Sequence, residues 1–385
     1  MKAIRNGVLI IPDEDGHFKA QTDDVLCYDE QIMQIIPAAE FSPSDADELI
    51  DAAGAYVAPG FLNVHIHGCD GADTMDEDAG ALARIAAFQA RTGVTSFLPT
   101  TMTCAFDSVE RALVRIRAAM AEQGLRGARI LGAHMEGPFI SPAKKGAQDE
   151  HYILPAAFEK IEPYADVIKI ITIAPETLTE KDFIENCRAH GIVVSIGHTS
   201  ADYETARAAI AAGATHVTHL CNAMTPLNHR HPGLLGAGLD TEANCELIVD
   251  NVHVHPAMQR IIYHAKRGRN LIPITDSLRA CGLGEGVSEL GGQRVYVKGT
   301  LATLADGTIA GSVLCMNDGL RILRANTGAE IPAVVEMATR TPAEELGVYD
   351  DLGSLSVGKY ADIAIFDEEF RIRRTIVGGR DCFVP

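Results

Sequence analysis

The chain has 385 residues, 47% hydrophobic and 22% charged, which suits a soluble globular protein with one large domain and an accessory one. Its 33 basic and 52 acidic residues leave a net charge of −19, which opposes nucleic-acid and anionic-membrane binding but not a small anionic substrate met by local basic residues. There is no apolar run of about 18 residues, no signal-peptide core, and no Cys-x-x-Cys among nine cysteines, so a cytoplasmic protein with reduced thiols and no membrane span is expected.

The first 57 residues read as short strands and turns, at Ala3–Ile11, Asp24–Tyr28, Ile32–Ile36 and Leu49–Asp51, without helical periodicity. From there the pattern changes. Short apolar runs at 61–67, 94–99, 129–135, 167–173, 192–197, 214–219, 245–250 and 271–275 read as strands. Amphipathic helix patterns fall between them at 79–91, 107–123, 156–162, 179–190, 202–212 and 256–268, and a last one at 313–326 follows an insertion at about 277–312. Eight strands alternating with helices predict an α/β fold with a parallel sheet, and eight is the number that closes a (β/α)8 TIM-type barrel. An open doubly wound sheet would want a Gly-rich phosphate turn after the first strand. That strand ends in His65-Ile-His-Gly68 instead, which favours the barrel. The tail returns to strands at Asp362–Phe366 and Arg371–Val377. Neither end has enough strands to stand alone. The two are expected to pair into one small β-sandwich domain, 1–57 with 346–385, beside a barrel of 58–345.

Chemistry-bearing residues fall at the ends of these strands. Side chains alternate along a strand, so His65 and His67 point to one face. The third strand ends in Glu136, the fifth in His198, the sixth in His219 and the eighth in Asp276. Each has a plain reading alone: Glu136 a loop carboxylate, His198 a capping-loop histidine, Asp276 a turn residue. In a barrel all six occupy the same topological position, the C-terminal rim where catalytic residues sit. His216, three before His219, faces the other side of its strand and is expected to pack. Cys69 and Cys221 lie near the ring and are expected to be small packing residues.

Imidazoles and a carboxylate suit Zn²⁺ first, with Fe²⁺, Mn²⁺ or Co²⁺ as alternatives. Such an ion lowers the pKa of bound water, and a neighbouring carboxylate, here Asp276, can take the proton and hand it on. The expected activity is hydrolysis of an amide or ester.

The motifs resemble the N-acetylglucosamine-6-phosphate deacetylase family of the amidohydrolase superfamily. They are Val57-Ala-Pro-Gly-Phe61 with His65-Ile-His67, His134-Met-Glu-Gly-Pro138 with Lys144-Lys-Gly146, and Gly197-His-Thr199. The series continues with Thr218-His-Leu-Cys-Asn-Ala-Met224, Arg230-His-Pro-Gly233, Asp250-Asn-Val-His253, Thr275-Asp276, Ala310-Gly-Ser312 and Gly353–Asp362. The resemblance implies that Glu136, His198 and His219 hold a metal and that His65 and His67 can complete a second site. It implies that Asp276 is base and then acid, and that Asn222, Ala223, Arg230 and His253 meet a sugar phosphate. It also implies a homodimer, with Arg230 reaching the neighbouring subunit. The function so implied is removal of the acetyl group from N-acetylglucosamine-6-phosphate. Arg230 with Lys144 and Lys145 would make a local positive region for the phosphate. One position departs: where the family carries a substrate-contacting histidine, this chain has Gln148. Gln148 can hydrogen-bond but cannot be a cation. N-acetylgalactosamine-6-phosphate or another N-acyl sugar phosphate therefore stands as an alternative substrate. An amidohydrolase acting on a cyclic amide or an N-acyl amino acid, and a barrel that has lost its metal, are the other readings.

Overall fold

A computed structural model describes residues 1–122 and 126–385. Its centre is parallel β-sheet. Strands Phe61–Ile66, Val94–Pro99 and Arg129–Ile130 form one parallel set. Strands Ala133–Glu136, Ile168–Ile173, Val193–Ile196, His216–Val217, Asn244–Ile248 and Leu271–Ile274 form a second, in that order. Phe61–Ile66 and Val94–Pro99 are buried at every position, as expected for strands covered on both faces. The two sets meet at both edges. Thr100 bridges in parallel to His134 at one seam. At the other, the Asp276 N–H donates to the His65 carbonyl over 2.9 Å, and Asn63 Nδ2 donates to Thr275 Oγ1 over 2.9 Å.

Each expected helix is present and somewhat shorter: Ala81–Arg91, Phe106–Ala121, Phe158–Ile161, Phe183–Ala189, Tyr203–Ala212, Pro256–Ala265 and Met316–Thr327. Residue 123, the expected end of the second, lies outside the described residues. Three more helices were not anticipated: Gly233–Leu239, Ile331–Ala338 and Arg340–Glu345. The first is rich in Gly and the others carry Pro in their first turns, which hides the periodicity. The insertion holds a three-stranded antiparallel sheet, Gly286–Leu290, Gln293–Lys298 and Leu301–Thr303. Its inner residues Leu290, Val295 and Val297 pack with Met102 and Leu278 beside the strand ends.

The chain ends supply two further sheets. One is four-stranded: Ile32–Pro37, Asp24–Tyr28, Lys2–Arg5 and Glu48–Asp51. The other is six-stranded: Arg380–Phe383, Ile372–Val377, Ile363–Phe366, Tyr56–Pro59, Val8–Pro12 and Phe18–Gln21. Ile4, Leu26 and Ile50 of the first share an apolar cluster with Leu9, Val57, Ile363 and Ile376 of the second. The single strand expected over Ala3–Ile11 is corrected here. It breaks at Asn6, whose φ of 57° lies in the left-handed region that asparagine tolerates, and its halves join different sheets. Two short 3₁₀ turns, Ala38–Glu40 and Pro43–Asp45, interrupt this otherwise β segment.

Candidate active site

Five of the singled-out residues gather around the sixth, Glu136. Its Oε1 lies 3.2 Å from His198 Nε2, 3.1 Å from His219 Nε2 and 3.5 Å from His65 Nε2. Its Oε2 lies 3.3 Å from His67 Nε2. Asp276 Oδ1 lies 3.5 Å from His65 Nε2 and 3.3 Å from His67 Nε2. All are buried, none more than 8% exposed. Asn222, Ala223, His253 and Gln148 line the same cleft of about 300 Å³, which opens between these strand ends and Leu290, Thr308 and Ile309 of the insertion.

The strand ends turn sharply to aim these side chains. His198, His219 and Asp276 have φ of 46°, 28° and 48°, which non-glycine residues adopt sparingly and which cluster at functional sites. Gly197 lets His198 follow closely on its strand: a Cβ there would meet Thr218 Cβ at 2.6 Å.

Hydrogen bonds on the outer nitrogens decide what the inner ones present. His67 Nδ1 faces the Thr100 carbonyl at 3.3 Å, and His198 Nδ1 the Lys144 carbonyl at 2.9 Å. A carbonyl only accepts, so both Nδ1 atoms carry a proton, and in the neutral ring each Nε2 turns a lone pair inward. His65 Nδ1 donates likewise to Glu246 Oε2 over 2.9 Å, and its buried Nε2 has no hydrogen-bond partner among the described residues. His198 Nε2 and His219 Nε2 stand 3.0 Å apart. Lone pairs and carboxylate oxygens gathered this closely repel one another unless positive charge lies among them. Two triads, Glu136 with His198 and His219, and His65 with His67 and Asp276, have ligand atoms close enough to hold a metal ion. The residues therefore fit a cation.

The same demand appears in the ionisation of the groups. Burial alone would push Glu136 and Asp276 upward, but His198 and His65 hold Glu136 well below the usual carboxylate range, and His65 with His67 lower Asp276. Burial would lower His219, yet Glu136 raises it to about 9.

Glu246 was not singled out by sequence. It is fully buried mid-strand, accepts from His65 and from the His219 backbone N–H (2.9 Å each), and lies 3.2 Å from His216 Nε2. The signal was there in Asn244-Cys-Glu-Leu-Ile248, since a glutamate inside an apolar strand is almost never buried without partners. His216 is packed away from the cleft as expected, but between Glu246 and Glu345 rather than against apolar side chains. Burial lowers its pKa, and the two glutamates outweigh this and raise it to about 9. His134 donates to the Val64 carbonyl (3.0 Å) and sits 2.7 Å from Thr172 Oγ1; burial and His65 hold it neutral, near 3.

Asp250, also missed, lies 2.7 Å from His253 Nδ1 and accepts the Val252 and His253 backbone N–H groups at 2.8 Å each. Arg230 is not brought to the cleft: it is exposed on the loop before Gly233–Leu239. Lys144 and Lys145 are half-buried, and Lys144 serves His198 through its carbonyl. Cys69 and Cys221 are not among the cleft-lining residues; burial pushes the Cys69 thiol up strongly and that of Cys221 to about 12.

A carboxylate–imidazole cluster at the C-terminal ends of parallel strands, able to hold a cation beside a further aspartate, defines a hydrolase of the metal-dependent kind. The chain belongs to the amidohydrolase family, whose sequence profile matches residues 56–382. Within it, the resemblance to the N-acetylglucosamine-6-phosphate deacetylases is borne out. The chain is 40% identical over 344 residues to N-acetylglucosamine-6-phosphate deacetylase of Bacillus subtilis (strain 168), covering 88% of this chain and 87% of that one. It is 34% identical over 329 residues to N-acetylgalactosamine-6-phosphate deacetylase of Escherichia coli O157:H7, covering 84% and 87%. Among solved structures, N-acetylglucosamine-6-phosphate deacetylase of Pasteurella multocida superposes with a TM-score of 0.92 at 29% identity over 99% of each chain. The Mycobacterium smegmatis deacetylase in complex with N-acetyl-D-glucosamine-6-phosphate gives 0.88 at 28% identity, over 100% of this chain and 99% of that one.

Proposed function

We propose that this chain removes the acetyl group from N-acetylglucosamine-6-phosphate, giving glucosamine-6-phosphate and acetate. The observation that carries the reading is the convergence of four imidazole Nε2 atoms on Glu136, two of them shared with Asp276, in a chain this similar to deacetylases of that substrate. Glu136, His198 and His219 would hold a divalent cation, Zn²⁺ first, and His65 with His67 a second. A cation there supplies polarisation of the amide carbonyl and water acidified toward neutral pH. Asp276, kept as a carboxylate by His65 and His67, accepts the proton of the attacking water and returns it to the departing amine. His253, its ring oriented by Asp250, and Gln148 meet the sugar and its acyl oxygen. The Asn222-Ala223 backbone takes the phosphate, joined by Arg230 from the second subunit of a homodimer.

The parallel strands close into a (β/α)8 barrel over 58–345, supported by the hydrogen bonds at both seams. The chain ends, 1–57 and 346–385, make a β-sandwich domain, supported by the apolar cluster shared between their sheets. Among the described residues no helix is long and apolar enough to cross a membrane, and we assign the enzyme to the cytoplasm.

Acetate release from the gluco and galacto 6-phosphates, with chelation and metal add-back, tests the activity. Loss on chelation, recovery with Zn²⁺ and preference for the gluco epimer are expected. Gln148 and the similarity to an N-acetylgalactosamine-6-phosphate deacetylase favour the galacto epimer as the second reading. Equal use of a phosphate-free N-acyl substrate would point to a different amidohydrolase.

A further inference from the structure

We infer that Gln148 is a positioning residue that orients the Glu136 carboxylate for cation binding. The inference rests on the cation-site reading above. Gln148 is buried; its Oε1 lies 2.7 Å from the Thr103 backbone nitrogen and its Nε2 lies 2.7 Å from Glu136 Oε2. A backbone N–H can only donate, so the amide oxygen must face Thr103 and the NH₂ must face Glu136. The chain itself thereby determines the direction of the amide. Held at Oε2 by a charge-assisted hydrogen bond, the carboxylate presents Oε1 to His198 and His219.

The loop that carries Gln148 also sets His198. The Lys144 carbonyl accepts from His198 Nδ1, and the Ser141 N–H donates to the His198 carbonyl over 2.9 Å. Gly146, at φ 59°, passes so close that a Cβ would lie 3.4 Å from His198 Cε1. The loop is tied by Gln148 N–H to the Lys145 carbonyl at 2.9 Å, and by Gln293 Nε2 donating to the Ala147 carbonyl at 2.5 Å. One segment thus orients two of the three groups in the Glu136, His198 and His219 triad. Outer partners of this kind alter metal affinity by about 10–100-fold when removed.

The test is Co²⁺ binding to chelator-stripped protein without substrate, by competition with a chromophoric chelator. Gln148→Met keeps the length and removes the donor. It should bind Co²⁺ about 10–100-fold more weakly and alter the visible spectrum of the bound ion. Gln148→His restores an N–H donor and should regain most of the affinity. Circular dichroism of each stripped variant reports whether the fold is kept, and Gln148→Ala carries the same expectation as Gln148→Met if the latter does not fold. Wild-type affinity and spectrum in the donor-free variants, or no recovery with histidine, would overturn the inference. A wild-type protein that binds no ion would instead overturn the cation-site reading.

Discussion

Asp276 is placed by its own backbone. Its backbone is held in a left-handed turn from both sides, its N–H on the His65 carbonyl and its carbonyl accepting from Ser312 N–H at 2.8 Å. The carboxylate is aimed by the fold, so replacing it changes chemistry more than structure. Asp276→Asn should lose about 10²–10⁴-fold in kcat while still binding metal, as read by acetate release and metal analysis. His253 depends on a neighbour in the same way. Asp250→Ala frees the His253 ring and should raise KM for the sugar phosphate more than it lowers kcat. The spacing His65-Ile-His67 and the terminal positions of Glu136, His198 and His219 were readable because a strand has period two and a barrel puts its strand ends on one rim. The hold of Asp250 on His253 was not, since a short polar loop has no period to read.

At the scale of elements, the strand Asn244–Ile248 does what no loop residue does. Through Glu246 it binds His65, His216 and the His219 backbone at once, a buried network in which every partner is charged or strongly polar. Glu246→Leu strands those donors and should cost about 3–5 kcal/mol in urea unfolding, with a fall in bound metal. His216 makes the strand's stability pH-dependent. Its folded pKa of about 9 lies above its ordinary 6.5, so its stabilisation is complete below 6.5 and is lost as pH rises through about 9. Thermal melting should therefore fall across that window, and His216→Gln should flatten the slope. Sequence alone left His216 as a packing residue, because the glutamates on either side of it come from distant elements.

For the whole molecule, the cluster links folding to the cation. Four histidines and two carboxylates enclosed together would be stabilised by an added cation, so chelation should lower the melting temperature as well as activity. At a ligand concentration of 100–1,000 times Kd the difference is about 3–4 kcal/mol. The end sheets are coupled to each other by their shared apolar cluster, and Ile363→Ala there should cost about 2–5 kcal/mol with the active site unaltered. Arg230 tests the assembly: in a homodimer that completes its site across the interface, Arg230→Ala should raise KM with dimer mass retained on light scattering.

Period and punctuation in the chain were enough to assign the α/β class, the strand ends and the residue types that gather there, because these follow from local geometry that every segment carries within itself. What they could not supply is which outer group holds each inner one. That Glu246 faces His65, that Gln148 turns its amide onto Glu136, and that the strand expected over Ala3–Ile11 divides between two sheets are outcomes of packing between segments tens to hundreds of residues apart. Local propensity is blind to such pairs. They exist because a buried donor or charge must find its partner wherever the folded chain brings one within reach.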